Sequence, residues 1–515
     1  MSERRPLLTP SRAWLSAVAL PLLMFFALAS WAFASPVGSS PDDDFHLNSA
    51  WCALGERDGL CEDTDDPAVK RVPAATDSSA SCFAFQPEQS AACQSLPASG
   101  ELELRSTDRG NFVNQYPPVY YSVHALFASG NVEASALAMR LVNVAIFVAL
   151  MTAVFAASPA RLRPSVVFPS LVTLVPLGAF LIASNNPSSW AVTSAATAWV
   201  AYLGYLTTDG RRRTVLGGLA VVGALLGAGA RSDSAAYTAV ALVLASIVAF
   251  RPAREFVLRS LLGVVILAVM AVLNLGSRSA GVATSGFGGG EAQEFDRVGL
   301  LASNLLDLPY LWSGVFGTWG LGWLDTQMPA IVWTAMLAAF VAVAFSSQRS
   351  SSWRVRLAIL ALTGALVAIP SLVLVLSQAA VGEQVQPRYI LPLIIMLAGS
   401  CVLDYARREN VFGRVQLIVL GAAVAGANLV ALHVNIRRYV TGTDAAGWNL
   451  AQPVEWWWTG ALANPLVVWM LGSLAAAGVA VLALRLVRHT PVVGEPTVAE
   501  PATAEPVADA APGSQ

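Results

Sequence analysis

Residues 13–46 read AWLSAVALPLLMFFALASWAFASPVGSSPDDDFH. The stretch 13–35 carries no charged side chain, and a helix of that length, rising about 1.5 Å per residue, is long enough to cross the ~30 Å hydrocarbon core of a bilayer. Arg4, Arg5 and Arg12 stand before it, which sets its start on the cytoplasmic side, where short basic segments are retained. Ala32-Phe33-Ala34 offers a small-x-small cleavage pattern. The apolar run exceeds the roughly 7–15 residues of a signal core, however, so a retained anchor is expected. In either case the acidic residues that follow emerge on the outer face.

Working outward, apolar runs of about 17 to 25 residues recur near 134–157, 165–183, 188–206, 214–230, 235–250, 257–275, 329–346, 355–377, 389–404, 415–433 and 464–486, twelve with the first. The chain is 55% hydrophobic and 12% charged, against about 25% charged in soluble proteins, and it cannot cover a water-facing surface. The expected fold is therefore an all-α, polytopic integral membrane protein of about twelve transmembrane helices. A net charge of -2 leaves no basic excess for nucleic acid. Every second loop is basic: Arg161 and Arg163, Arg211 to Arg213, Arg251 and Arg254, Arg349 to Arg356, Arg407 and Arg408, Arg485 and Arg488. That alternation gives an even number of crossings with both termini cytoplasmic. Arg437 and Arg438 fall on the outer side against the rule.

The organisation that results is a cytoplasmic N-terminus (1–12), a first helix (13–35), an outer loop (36–133), a multi-helix membrane domain (134–486) with outer loops 276–328 and 434–463, and a Pro-, Ala- and Glu-rich tail (487–515) that reads as disordered. The first outer loop holds Cys52, Cys61, Cys82 and Cys93, an even number in an exported segment, as two disulfides require. Pairing 52 with 61 and 82 with 93 is the simplest of three connectivities, and sequence does not choose among them. A zinc site is the rival, but no Cys-x-x-Cys pair is present.

The residues fit for chemistry gather at the outer ends of the spans. Pro41-Asp42-Asp43-Asp44-Phe45-His46 places three carboxylates and an imidazole together, where mutual repulsion raises at least one pKa and suits a proton acceptor or a hard cation; the plainer reading is a solvated acidic turn. Tyr116-Pro117-Pro118-Val119-Tyr120-Tyr121 offers rings that anchor at an interface or stack on a sugar. Arg231-Ser232-Asp233 and Glu383-Gln384-Val385-Gln386-Pro387-Arg388-Tyr389 put arginines at headgroup depth, either to bind a phosphate or to pair with Asp233 and Glu383. Gly322-Trp323-Leu324-Asp325 closes a segment that is Gly-rich at its start, consistent with an interfacial or re-entrant helix, and Trp456, Trp457 and Trp458 read as a further interfacial anchor. Asn185-Asn186-Pro187 reads as a polar outer turn. Phosphate-loop, His-Glu-x-x-His and Gly-x-Ser-x-Gly patterns are lacking.

On Pro41-Asp42-Asp43 with His46, Tyr116 to Tyr121, Asn185-Asn186-Pro187, Gly322 to Asp325 and Gln386-Pro387-Arg388-Tyr389-Ile390-Leu391-Pro392, the chain resembles a family of bacterial membrane proteins catalogued as domain of unknown function 2142, grouped with GT-C glycosyltransferases. The family pattern reads Pro-Asp-Glu and Gln-Gly-Arg-Tyr. Asp43 here replaces the glutamate and Pro387 the glycine, and the four cysteines are not part of the general pattern.

The resemblance implies a GT-C-like fold in a bacterial plasma membrane and an outward active site that takes a polyprenyl-phosphate sugar donor. Asp42 or Asp43 would be the catalytic base, and Arg388 or Arg231, with Tyr389, the phosphate site. His46, Asp44, Tyr116, Tyr120, Tyr121, Gln386, Trp323 and Asp325 would contact sugar or acceptor, a cell-envelope glycan or lipid. Mg²⁺ or Mn²⁺ at Asp42 and Asp43 is compatible with clustered carboxylates but not required. Arginine over lysine and abundant alanine suit a high-GC bacterium such as an actinobacterium. The alternatives are a transporter or flippase for a lipid-linked or soluble sugar, and a non-catalytic envelope-assembly protein.

Overall fold

Uncharged runs of Ala, Leu and Val can satisfy their backbone N–H and C=O groups in hydrocarbon only within themselves, and this drives them into helices. The computed structural model describes residues 10–96, 102–281, 296–405 and 411–488. Arg4, Arg5, Arg407, Arg408, most of the Gly-rich stretch after 276 and the tail beyond 488 lie outside them.

In chain order the principal helices are α1 (Pro10–Phe33), α2 (Asp43–Cys52), α3 (Val132–Ala157), α4 (Pro164–Thr173, continuing to Ile182), α5 (Ser188–Thr207), α6 (Gly210–Ala230), α7 (Ser232–Ala249), α8 (Arg254–Asn274), α9 (Arg297–Ser313), α10 (Ala330–Ser346), α11 (Trp353–Leu376), α12 (Pro387–Cys401), α13 (Arg414–Val440) and α14 (Pro465–Arg488). Each of the twelve apolar runs read from sequence falls on one of these. Among the described residues eight helices are both long and apolar enough to span: α3, α4, α6, α7, α8, α11, α13 and α14. Shorter apolar helices are Val18–Phe33 within α1, α10 and α12. The chain is thus a polytopic, mostly helical membrane protein.

α4 is the axis of the bundle, with 89% of its apolar window buried. It is broken at Leu174–Gly178, where Val175 takes extended backbone beside Pro176. α5 and α6 pack as a close pair because Gly227 has no side chain: a Cβ there would stand 2.5 Å from Ser194 Oγ and 2.6 Å from Ser234 Oγ. α9 is the helix expected in the 276–328 segment. It leaves Val298 and Leu306 about four-fifths exposed and uses Asn304 to bond Ala379 O and Val381 N–H.

The all-α expectation is corrected in the first outer loop. Glu62–Asp63 (β1), Lys70–Pro73 (β2) and Leu104–Thr107 (β3) form an antiparallel sheet in that order, with Glu62 opposite Arg71 and Lys70 opposite Thr107. The strands are short and charged, and opposite charges meet across them at Lys70–Asp63 and Arg71–Glu62, so apolar periodicity gave no sign of them. The cysteines pair as Cys52–Cys61 and Cys82–Cys93. Zinc ligation is thereby excluded for them.

Two buried arginines tie this loop to the bundle. Arg140 of α3 donates to Ala32 O, Ser35 O and Pro36 O, and stands 3.6 Å from Asp43 Oδ2. Arg438 of α13 donates to Gln89 O, Phe83 O and Asp325 Oδ2. Arg437 and Arg438, which break the loop alternation read from sequence, are both buried on loop carbonyls, Arg437 on Gly447 O and Asn449 O. Trp456 and Trp458 are likewise not lipid-facing anchors: both are buried, and Trp458 Nε1 donates to Phe33 O.

Arg438→Leu leaves the Asp325 carboxylate buried without its cation, a change that costs on the order of 3–5 kcal/mol. The melting midpoint of the full chain in detergent, followed by tryptophan fluorescence, should fall sharply. An unchanged midpoint would refute the structural role of this pair.

Candidate functional site

Asp42 sits at the start of α2 with φ 59° and ψ 25°, a left-handed conformation that aspartate tolerates better than most residues. Its carboxylate faces Arg388 and Arg109, whereas that of Asp43 faces Arg140. Asp42 Oδ2 accepts from Arg388 Nη2 at 2.7 Å and Oδ1 from Arg109 Nη2 at 3.3 Å. Arg109 also holds Asp44 through two bonds. Asp43 turns inward, fully buried, accepting from Ser40 Oγ at 2.8 Å and facing Arg140.

Arg388 lies in the first turn of α12 and donates to Pro41 O and to the Tyr389 hydroxyl. Arg231, the single residue between α6 and α7, is fixed by two bonds to Asp233 at 2.8 and 2.9 Å. Both guanidinium groups stand 5.0 Å from the Tyr389 ring, and Arg231 stands 5.8 Å from that of Tyr116. Tyr116 is held by Asn111 on both its backbone groups. His46, buried on α2, bonds Tyr121 Oη at 2.9 Å and meets the Tyr116 ring edge-on.

The Asp42 side chain is 41% exposed where that of Asp43 is 0%, so Asp42 is the carboxylate a ligand can reach. Burial pushes the Asp42 carboxyl up, but the Arg388 guanidinium, with help from Arg109, outweighs it and holds the group down to about 2. Burial raises Asp43 despite Arg140. Burial also drives His46 down to about 3, so the imidazole is neutral at ordinary pH.

A family model described as predicted membrane protein (DUF2142) matches residues 25–397. The chain belongs to that family. No curated protein matches it. The DUF2142 match takes in every member of the cluster just described and stops short of α13 and α14.

Of the residues singled out in this DUF2142 sequence, the structure brings together Asp42, Asp44, His46, Tyr116, Arg231, Arg388 and Tyr389. Gln386 borders the same place, lining a small cavity with Pro41, Gly322 and Arg388. Others fall elsewhere. Asp43 has no open side. Tyr120 stacks on His124 at 3.9 Å and packs on Trp190, and Tyr121 is buried behind His46. Asp325 is committed to Arg438, and Trp323 donates to Gly38 O and packs on Phe85. Asn185 and Asn186 form the polar turn between α4 and α5, but both are buried, and Asn186 Nδ2 donates to Pro41 O.

The sequence reading missed Arg109 and Arg140. A charge inside an apolar run was the available signal for Arg140, whereas nothing distinguished Arg109 from other loop residues. Asp42, Asp43 and Asp44 do not fit a Mg²⁺ or Mn²⁺ site, because each is already taken by a guanidinium group: Asp42 by Arg388 and Arg109, Asp44 by Arg109, and Asp43, buried, by Arg140. No cluster of three or more His, Cys, Asp or Glu suited to a metal ion occurs among the described residues.

His46 has a testable signature. Its folded pKa, about 3, lies below the ordinary 6.5, so the unfolded chain binds a proton first as pH falls. Its contribution to stability is complete above 6.5 and is lost, by up to about 1.4 kcal/mol per pH unit, down toward 3. Asp42, also depressed, adds only below its ordinary 3.8. Melting midpoints measured from pH 7.5 to 4.5 should fall less steeply for His46→Gln than for wild type. Parallel slopes would show that His46 is protonated in the fold.

Proposed function

We propose that this DUF2142 chain is a GT-C-type glycosyltransferase that crosses a bacterial plasma membrane twelve times with both termini cytoplasmic, and transfers a sugar from a polyprenyl-phosphate donor to a cell-envelope glycan or lipid at the outer face. The observation that carries the reading is the Asp42–Arg388 pair at 2.7 Å, a reachable carboxylate and an anion-binding guanidinium in one place at the ends of the helices. A sugar hydroxyl is a weak nucleophile near neutral pH and needs a proton acceptor, while a departing lipid phosphate needs a cation.

In this reading Asp42 is the base and Asp43 a positioning residue. The donor phosphate takes over Arg388, whose planar fork fits two phosphate oxygens, with Arg231 behind the Tyr389 ring adding positive potential. Losing Arg388 as a partner, the Asp42 carboxyl rises from about 2 toward the ordinary carboxylate range and becomes a competent base. The acceptor oxygen forms its bond to the sugar's anomeric carbon and its proton passes to Asp42. The bond from that carbon to the phosphate oxygen breaks, and the electron pair leaves with the polyprenyl phosphate. The half-buried rings of Tyr116 and Tyr389 offer faces for the sugar.

The test is sugar transfer from a radiolabelled polyprenyl-phosphate donor pool, in membranes carrying matched amounts of wild type, Asp42→Asn or Arg388→Lys protein. Asp42→Asn should lower transfer by roughly 100- to 10,000-fold. Arg388→Lys keeps the charge but loses the fork, and should weaken donor use more than the maximal rate. Equal transfer by Asp42→Asn and wild type, or none by any across several donors, would turn the assignment to transport, flipping or a non-catalytic assembly role.

A further inference from the structure

Away from the candidate site, α1, α3, α4, α13 and α14 enclose a cavity of about 550 Å³. That lies within the roughly 300–1,000 Å³ of ligand sites. Its wall is almost wholly apolar, with Met24 and Leu28 from α1, Phe155 from α3, Leu171 from α4 and Val479 from α14. On α4 the wall runs from Arg163 at one end past the break to Ala179, sixteen residues of chain, and on α1 it follows Leu20 to Trp31, eleven residues and about 16 Å. Toward the bundle interior the cavity is bordered by Trp31 and Asn428, joined by the bond from Trp31 Nε1 to Asn428 Oδ1 at 3.1 Å.

The Arg163 end of the cavity lies toward the membrane face opposite Asp42. The far end of α4 leads to Asn186, which bonds Pro41 O beside the acidic cluster, whereas Arg163 begins α4. Arg163 lies against the Phe155 ring at 5.1 Å, and its Nε is buried with no hydrogen-bond partner. Arg163 has no carboxylate partner among the described residues. An unpaired guanidinium group at the end of an apolar cavity is complementary to a lipid with an anionic head.

We propose that this cavity binds one chain of an anionic glycerophospholipid from the leaflet opposite the candidate site, with the lipid phosphate on Arg163. The site is independent of the glycosyltransferase reading. A helix of a partner protein, about 10–12 Å across, would take up more than about 1,000 Å³ over ~16 Å, about twice the cavity's volume.

Native mass spectrometry of the full chain in mild detergent, titrated with phosphatidylglycerol or phosphatidylethanolamine, tests this. Wild type should retain one phosphatidylglycerol at a concentration about fivefold lower than phosphatidylethanolamine, the effect expected of one arginine on an anionic lipid. Arg163→Gln should abolish that preference and Arg163→Lys retain most of it. Ala476→Trp, which fills the slot from α14, should lower retention of both lipids. Equal retention of the two lipids by wild type, an unchanged preference in Arg163→Gln, or co-purified polyprenyl phosphate that phosphatidylglycerol does not displace would each overturn the proposal. Matching melting midpoints for Arg163→Gln and Arg163→Lys separate loss of binding from loss of fold.

Discussion

The buried guanidinium of Arg140 is the constraint around which the half of the molecule that carries the candidate site is arranged. It lies at 0% exposure, takes up three carbonyls of the chain leaving α1 and faces the Asp43 carboxylate. Carbonyls released where a membrane helix ends have no intrahelical donor, and here a side chain from the next span supplies them. Because Asp43 is drawn inward to Arg140, Asp42 is forced through a left-handed turn and faces the other way, toward Arg388. The exposed acid owes its direction to the hidden one.

Much of the membrane architecture was legible because hydrophobic length is a strong signal over twenty residues. Even 188–206 and 235–250 fall on the helices Ser188–Thr207 and Ser232–Ala249, although only the second is among the eight long and apolar enough to span. The sheet in the first outer loop was invisible for a physical reason. Its strands are two to four residues long and rest on cross-strand charge pairs rather than on a buried apolar face.

The candidate site was legible in part. Asp42, Arg231, Arg388 and Tyr389 could be chosen because each is a polar group at the end of an apolar run, and the fold carries them to one place although Asp42 and Arg388 are 346 positions apart. What failed was the assumption that polar or aromatic residues near an outer interface face outward. Tyr120, Asn186, Trp458 and the side chain of Asp325 belong instead to a packed layer between loop and bundle. Hydropathy measures transfer from water to lipid, and is blind to a protein interior assembled at the same depth.

Three carboxylates and three guanidinium groups, Asp42, Asp44 and Asp233 with Arg109, Arg231 and Arg388, make up the ionic part of the cluster and cancel. A cluster without net charge projects little field beyond its immediate surroundings, so it does little to gather anions from solution. Whatever binds here must be brought by another route, and diffusion within the plane of the membrane is the natural one. Recognition then operates at contact range, by exchange of partners, and should be largely indifferent to the ionic strength outside.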